Sequence, residues 1–305
     1  MTATILNQAV GRTWTAIHGD CVEALRDLPD NSVDFSVYSP PFSSLYIYSD
    51  SERDMGNVGS DAEFQAAYAL LVREKLRVTK PGRLTAIHVK DLVYYSNASD
   101  KGDRGLRDFT GACIATHVAA GWSFHSRHTI WRCPVREMTK AKPDGLLFKN
   151  FRIDAARNRA GLPEYLVAFR KWGPGMDETP PIVHDEREFP LDTWRQWASP
   201  VWNWEGDDLP ETDVLNVKAA RDYDDEKHLC PMPLNITNRA IRLWSNPGDV
   251  VLSPFMGIGS EGVAAMRARR RFIGVELKDS YFAQAVRYIG EAEEAAAAPD
   301  LFNAA

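Results

Sequence analysis

Segments that predict β-strands alternate along the chain with longer segments whose apolar residues recur at helical spacing. Near the C-terminal end, strands are predicted from Asp249 to Leu252 and from Arg271 to Glu276, with a helix from Ser260 to Arg267 between them. In the N-terminal half, Val33 to Tyr38 predicts a strand and Asp61 to Val78 predicts a helix. Strands that alternate with helices favour an open, mostly parallel sheet, because each helix carries the chain back to the starting edge. The sequence therefore predicts an α/β fold.

The composition is that of an ordinary globular protein. The chain has 305 residues, of which 44% are apolar and 26% charged, and no apolar run approaches the roughly 18 residues of a membrane span. The N-terminal residues lack the basic, apolar and small-residue regions of a secretory signal. The four cysteines form no CxxC pair, so neither a disulfide framework nor a zinc site is predicted. We expect a soluble, cytoplasmic protein that binds neither a membrane nor a metal.

Charge is distributed unevenly along the chain. The formal net charge of −6 does not favour binding to a polyanion. Residues 127–171 are nevertheless locally basic, whereas residues 173–227 are rich in acidic residues, proline and tryptophan. We interpret residues 172–227 as an insertion between two parts, residues 1–171 and residues 228–305. A charged run is often no more than a solvated face, so charge alone does not assign a function.

A glycine-containing turn follows the predicted strand that ends at Leu252. It contains Gly257 and Gly259 and leads into the helix that begins at Ser260. Glycine lets the backbone approach a ligand closely, and nucleotide-like ligands lie at the carboxyl ends of such strands. The next strand ends in Glu276, whose carboxylate could accept hydrogen bonds from both hydroxyls of a ribose. The turn could also serve packing alone, and the absence of GxGxxG and GxxxxGK(S/T) disfavours dinucleotides and cradled phosphates.

A proline pair follows the predicted strand from Val33 to Tyr38. The sequence Ser39-Pro40-Pro41-Phe42, called the tetrapeptide below, fixes the backbone after the strand and removes two N–H donors. Carbonyl oxygens can then point into a cleft without competing donors, next to an aromatic side chain. A structural turn with a core phenylalanine is the simpler interpretation of this segment by itself.

The tetrapeptide resembles the fourth motif of the methyltransferases that modify adenine N6 or cytosine N4, which is Asp, Asn or Ser, then Pro-Pro and an aromatic residue. Ser253 to Glu261 is similar to their first motif, and His228 to Leu234 resembles their tenth. Gly19-Asp20-Cys21 is similar to the N-terminal signature of the beta class, in which the catalytic motif precedes the cofactor motif, as it does here. One departure is Met232-Pro233, where the family commonly has Lys-Pro or Phe-Pro.

The resemblance implies a Rossmann-like, mostly parallel methyltransferase sheet, with residues 1–171 as the catalytic half, residues 172–227 as a target-recognition insertion and residues 228–305 as the cofactor-binding half. It also implies S-adenosyl-L-methionine as cofactor, double-stranded DNA as substrate and a homodimer. The candidate catalytic residues are Ser39, Pro40, Pro41 and Phe42. The candidate cofactor-binding residues are Asp20, Cys21, His228, Leu229, Cys230, Pro231, Ser253, Phe255, Met256, Gly257, Gly259, Ser260 and Glu276. The candidate DNA-binding residues, all in the basic segment, are Arg127, Arg132, Arg136, Lys140, Lys142, Arg152, Arg157 and Arg159.

The implied reaction is a direct displacement on the sulfonium methyl group, without a covalent intermediate. An exocyclic amine is a poor nucleophile because its lone pair is delocalised into the ring. We expect the Ser39 hydroxyl and the Pro40 carbonyl to accept the two amine hydrogens and so to aim the lone pair. The base must be flipped out of the duplex, and Phe42 would stack on it.

The identity of the base stays open at this point. Ser39 at the start of the tetrapeptide is typical of cytosine-N4 enzymes, whereas Asp225 to Glu261 resembles solitary phage-type or prophage-type enzymes, among which we expect adenine specificity. Adenine N6 is our prediction. The alternatives in other classes are an N-methyltransferase of RNA or small molecules and a DNA-binding regulator that transfers no methyl group. His88 and Trp131 could line the base pocket, but a core position is the simpler interpretation of both.

Overall fold

The computed structural model describes residues 5–42, 54–94, 96, 101–135, 152, 162–203, 213–220 and 231–298. The strands are β1 (Ile5–Val10), β2 (Trp14–Gly19), β3 (Val33–Tyr38), β4 (Thr79–Val89), β5 (Leu92–Tyr94), β6 (Gly105–Arg107), β7 (Ser123–Ile130), β8 (Glu164–Arg170), β9 (Val201–Trp202), β10 (Val250–Ser253) and β11 (Arg271–Glu276). The helices are α1 (Cys21–Arg26), α2 (Asp61–Val78), α3 (Phe109–Ala119), α4 (Leu191–Trp197), α5 (Leu234–Trp244), α6 (Ser260–Arg267) and α7 (Asp279–Ala297).

Nine of the described strands form one sheet in the order β1-β2-β11-β10-β3-β4-β8-β7-β9. The five neighbours β2, β11, β10, β3 and β4 are all parallel. β1 is antiparallel to β2 at one edge, and β8 is antiparallel to both β4 and β7. The prediction of an α/β fold with a mostly parallel sheet is confirmed. Because the five central strands run in the same direction, their carboxyl ends meet at one edge, where ligands of such sheets bind.

Helices cover both faces of the sheet. Alternate residues of a strand point to opposite faces, and in β3 the side chains of Phe35 and Val37 lie in the core beneath α5, α6 and α7. Tyr38 lies in the core on the other face, with α1, α2 and α3. The run VDFSVY predicted a strand because four of its six residues are β-branched or aromatic.

The short strands β5, β6 and β9 were not predicted from the sequence. β6 pairs with β5 in a separate two-stranded sheet. β9 comes from the segment that we interpreted as an insertion, yet it pairs with β7, and the side chain of Trp202 is completely buried. Strands of two or three residues are too short to show an alternating pattern.

The described residues contain neither a membrane-spanning helix nor a cluster of metal ligands. None of their helices combines the length and the apolar character that crossing a bilayer requires. In the same part of the chain, no group of three or more His, Cys, Asp or Glu side chains is arranged to hold a metal ion. Cys21, Cys113 and Cys133 are free thiols there.

Candidate active site

A cleft opens at the edge of the sheet where the central parallel strands end. It contains about 1010 Å³ of empty space, including its open mouth. Four strand ends contribute to its wall: Asp20 follows β2, the tetrapeptide follows β3, Gly257 lies in the turn after β10, and Glu276 ends β11. The motifs before and after the predicted insertion therefore face the same space.

Most of the candidate residues that the structure describes line this cleft. They are Asp20, Cys21, Ser39, Pro40, Pro41, Phe42, Pro231, Phe255, Met256, Gly257, Ser260 and Glu276. His228, Leu229 and Cys230 lie outside the described residues. Ser253 and Gly259 are buried and are not part of the cleft wall.

Glycine occupies two positions of the turn, and the surroundings of the two positions differ. Gly259 has a φ of +96°, and a Cβ atom there would lie 3.1 Å from the Cα of Ala285 in α7. Glycine at position 259 is therefore explained by backbone conformation and helix packing. Gly257 has a φ of +52°, and a Cβ atom there would meet no atom within 4 Å. The left-handed backbone favours glycine here too, and because Gly257 lines the cleft without crowding, a ligand can approach the backbone closely at this point.

The Glu276 carboxylate is held by the backbone. Its Oε2 accepts a hydrogen bond from the N–H of Gly257 at 2.9 Å, and its Oε1 accepts from the N–H groups of Leu277 and Lys278 at 3.0 and 2.9 Å. Burial raises the pKa of Glu276 to about 7, although the three N–H groups act in the opposite direction. The carboxyl group is thus fixed in position and able to accept further hydrogen bonds from a ligand.

A second carboxyl group in the cleft was missed from the sequence. Glu261, in the first turn of α6, is 3% exposed, and burial, together with the charge of Glu276, raises its pKa to about 8. The hydroxyl of Ser260 beside it is also buried and has no hydrogen-bond partner among the described residues. The further unpredicted lining residues are Gly19, Asp54, Met55, Met232, Pro254, Ile258, Leu277, Lys278 and Tyr281.

A chain of polar side chains extends from the tetrapeptide into the protein. The Ser39 Oγ lies 3.2 Å from the Nδ1 of His88 and 3.0 Å from the backbone carbonyl oxygen of His88. On the other side of the ring, His88 Nε2 lies 3.0 Å from Glu164 Oε2, which also accepts a hydrogen bond of 2.5 Å from Arg132 Nη2. Burial by itself would raise the pKa of Glu164, but the hydrogen bonds and charges of His88 and Arg132 hold it well below its usual range.

The candidate DNA-binding residues have different environments. Arg127 is exposed on β7, where its guanidinium lies over the rings of Phe124 and Tyr165. Arg152 is also exposed. Arg132 has a side chain that is only 4% exposed and is paired with Glu164, so a contact of its guanidinium with a phosphate is not supported. The other candidates, Arg136, Lys140, Lys142, Arg157 and Arg159, lie outside the described residues.

The sequence favoured core positions for His88 and Trp131, and the structure places neither of them in an apolar core. His88 belongs to the polar chain described above, not to an apolar core. Trp131 is 36% exposed and does not line the cleft. Neither placement was visible in the sequence, because both depend on which strands are neighbours.

Solved structures with a similar fold include two proteins described as a DNA modification methylase and a DNA methyltransferase. The protein TTHA0409 of Thermus thermophilus, solved as a complex with S-adenosyl-L-methionine, superposes with a TM-score of 0.64 and 22% identity, over 90% of this chain and 94% of that one. The PvuII DNA methyltransferase, which is cytosine-N4-specific, gives a TM-score of 0.60 and 16% identity over 94% and 93% of the two chains. At these identities the comparison shows a shared fold.

Sequence comparisons identify the family. Type II methyltransferase M.MthZI of Methanothermobacter thermautotrophicus is 27% identical over 282 residues, which are 84% of this chain and 71% of that protein. DNA adenine methyltransferase YhdJ of Escherichia coli K12 is 22% identical over 275 residues, 90% of this chain and 81% of that protein. Residues 33–287 match the family of N6/N4 methyltransferases that is described as DNA methylase. That match spans most of the chain and confirms the resemblance seen in the motifs, and the chain therefore belongs to the N6/N4 family of DNA methylases.

Proposed function

We propose that this protein transfers a methyl group from S-adenosyl-L-methionine to the N6 amine of a flipped adenine in DNA. The observation that carries the proposal is the position of the tetrapeptide, which faces the same cleft as the glycine turn after β10 and Glu276. A base amine held at Ser39 would then lie beside a cofactor held at Gly257. Membership of the DNA methylase family supports DNA as the substrate.

The residues of the cleft fit this cofactor. Glu276 is held so that it can accept hydrogen bonds from the ribose hydroxyls, and Phe255 and Ile258 provide apolar surface for the adenine ring. Glu261 and the unpartnered hydroxyl of Ser260 provide polar groups for the methionine part, whose ammonium group is a cation. When bound, the cofactor supplies a methyl group on a positively charged sulfur.

The tetrapeptide would prepare the amine for this methyl group. The Ser39 hydroxyl and the Pro40 carbonyl each accept one amine hydrogen, which concentrates the lone pair on nitrogen and directs it into the cleft. Phe42 is half-buried, and its ring lies 6.3 Å from that of Phe109. Its remaining surface would stack on the base, a contact worth about 1–3 kcal/mol that offsets part of the cost of flipping.

Cytosine N4 is the second candidate target. It is favoured by Ser39, because serine at the first position of the tetrapeptide is typical of cytosine-N4 enzymes. Adenine is favoured by the resemblance of the segment from Asp225 to Glu261 to solitary phage-type enzymes and by the similarity to an adenine methyltransferase over 90% of the chain. RNA or a small molecule as substrate is not favoured by any feature of the described residues.

The direct test is mass spectrometry of nucleosides from unmethylated duplex DNA that has been incubated with the purified protein and the cofactor. We expect N6-methyladenine, and none with Ser39→Ala, which should still bind the cofactor. Recovery of N4-methylcytosine alone would contradict the choice of adenine. Methylation of RNA in preference to duplex DNA, in a competition assay with tritiated cofactor, would contradict the proposed substrate.

We propose that residues 172–227 recognise the DNA sequence. We also propose that the accessible part of the basic segment contacts phosphate groups of the DNA. Arg127 is a described residue suited to such a contact, because it is exposed on β7, at the start of that segment. We also propose a homodimer, which would double the basic surface offered to DNA. Light scattering during gel filtration measures the mass in solution, and Arg127→Ala should weaken DNA binding without changing the binding of the cofactor.

A further inference from the structure

The polar chain behind the tetrapeptide has a defined direction of hydrogen bonding. The Glu164 carboxylate is ionised and can only accept, so the Nε2 of His88, 3.0 Å away, carries a hydrogen. In the neutral imidazole, Nδ1 is then an acceptor, and it faces the Ser39 Oγ at 3.2 Å. All three side chains behind Ser39 are largely buried: those of His88, Glu164 and Arg132 are 12%, 19% and 4% exposed.

This direction determines which part of the Ser39 hydroxyl is presented to a substrate. A hydroxyl has one hydrogen to donate, and both of its near partners inside the protein, the Nδ1 and the backbone carbonyl oxygen of His88, are acceptors. The hydrogen is therefore directed toward His88. The lone pairs of Ser39 remain for a donor in the cleft, and an exocyclic amine is such a donor.

We infer that His88, held by Glu164 and Arg132, orients the Ser39 hydroxyl as an acceptor and receives through it the proton that the substrate amine releases. The inference rests on the proposed methyl transfer. His88 is a positioning residue in this arrangement, because it acts on the substrate through Ser39. Glu164 and Arg132 fix the ring, and the Glu164 carboxylate stabilises the charge that the ring acquires.

The proton can be followed from bond to bond. As the amine nitrogen forms its bond to the methyl carbon, the bond between that carbon and the cofactor sulfur breaks. The electron pair of the broken bond stays on sulfur, which becomes a neutral thioether, and the positive charge is now on nitrogen. Its N–H bond breaks, the electron pair stays on nitrogen, and the proton passes to the Ser39 Oγ. At the same time the hydrogen of Ser39 passes to the Nδ1 of His88, so serine remains a neutral hydroxyl and the ring becomes an imidazolium. The ring later releases its proton to solvent.

A dependence on pH follows from this arrangement. If His88 is already protonated, its Nδ1–H donates to the Ser39 Oγ, occupies a lone pair and leaves no acceptor for the proton. Among the described residues, the groups that face the ring are the Ser39 hydroxyl after β3 and the Glu164 carboxylate on β8, with Arg132 beyond Glu164. The methylation rate should therefore fall on the acidic side of the pH profile, where the imidazolium forms.

The test is the single-turnover rate of methyl transfer to duplex DNA between pH 5.5 and 8.5. We expect His88→Ala to lower the rate by about 100-fold, within the range for proton-transfer groups, and to abolish the acidic limb. His88→Asn can still hydrogen-bond to Ser39 but cannot take up the proton, so it should lose less rate and also lack the limb. Glu164→Gln should move the limb to lower pH, because the imidazolium loses its counter-charge.

A matched control is His125→Ala, which removes an exposed histidine on β7 that lies outside the cleft and should change neither the rate nor the profile. Thermal unfolding and cofactor binding of each variant check the fold. If His88→Ala does not fold, the rate and pH profile of His88→Asn test the inference. An acidic limb that is retained in His88→Asn, or that stays in place in Glu164→Gln, would overturn the inference.

A second measurement separates this inference from the proposed function. NMR of the histidine ring nitrogens in the protein alone, without DNA or cofactor, should show that the His88 titration moves to lower pH in Glu164→Gln and changes in Ser39→Ala. A protein that methylates DNA but shows no such coupling overturns the inference alone. A protein that shows the coupling but methylates no DNA overturns the proposed function.

Discussion

The carboxylate of Asp34, in β3, accepts a hydrogen bond of 2.9 Å from the backbone N–H of Val250, the first residue of β10. The two residues are 216 positions apart in the chain. The other carboxylate oxygen of Asp34 accepts a hydrogen bond of 2.6 Å from Lys80 and lies 3.7 Å from Arg83. One buried side chain thus joins the strand that carries the tetrapeptide to the strand that carries the glycine turn.

Asp34→Ala should destabilise the protein by about 3 kcal/mol or more, because it leaves buried positive charge and a backbone N–H without an acceptor. The free energy of unfolding in urea measures the effect. Asp30→Ala is the matched control: Asp30 is 69% exposed and pairs with Arg77, so its loss should cost about 1 kcal/mol or less. Equal costs for the two variants would contradict the role assigned to Asp34.

Lys75 is completely buried directly behind the tetrapeptide. Its Nζ donates to Tyr38 Oη at 2.8 Å and Thr85 Oγ1 at 2.6 Å, and burial lowers its pKa well below the usual value. Between the folded and unfolded pKa values, only the unfolded chain holds the proton, so stability rises with pH. Relative to Lys75→Met, the wild type should gain up to about 1.4 kcal/mol per pH unit as the pH rises toward the unfolded pKa of about 10.4. Urea unfolding of both proteins measures the slope, and parallel curves would mean that the folded protein holds a charged ammonium.

Glu261 should make the free protein less stable as the pH rises. Its pKa in the folded protein is raised to about 8, whereas an unfolded glutamate loses its proton near about pH 4.3. The contribution of the protonated form is fully present below that value and is lost as the pH rises toward 8. The thermal midpoint of the wild type should therefore fall more than that of Glu261→Gln between pH 5 and 8.5. A fall of the same size in both would show that another group is responsible.

Glu276→Gln should weaken binding of S-adenosyl-L-methionine by about 10-fold to 100-fold, since a hydrogen bond to a charged group contributes about 1.5–3 kcal/mol. In the wild type, affinity should fall as the pH drops below about 7, where the raised pKa of Glu276 lets the carboxyl group take up a proton. Titration calorimetry at pH 6 and 8 measures both effects. Glutamine does not ionise in this range, so the affinity of Glu276→Gln should depend less on pH.

Phe42→Ala should keep its affinity for the cofactor and lose most of its methyl transfer. The stacking contact is worth about 1–3 kcal/mol, which corresponds to a fall of about 5-fold to 150-fold in kcat/KM. Phe42→Tyr keeps an aromatic ring and should remain active. Because Phe42 also packs near Phe109, thermal unfolding of both variants must accompany the assay. Full activity of Phe42→Ala would count strongly against this pocket.

The amino-acid sequence by itself determined the elements and the motifs. The period of its apolar residues predicted the long helices and the buried strands, because burial on one stripe or on both faces leaves a local pattern. The order of the tetrapeptide and the glycine turn, with Glu276 after it, indicated the family. These features are local, and each lies within a few residues of a strand end.

Only the tertiary structure decided what depends on neighbouring strands. β4 and β8 are paired in the sheet, which brings His88 to Glu164 although 76 residues separate them. The same contact places Arg132 in the interior, where a count of basic residues had suggested a DNA contact. Burial of Glu261 depends likewise on the packing of α6 against the rest of the cleft. Charge and hydrogen bonding act through space, so strand order fixes these roles and sequence spacing does not.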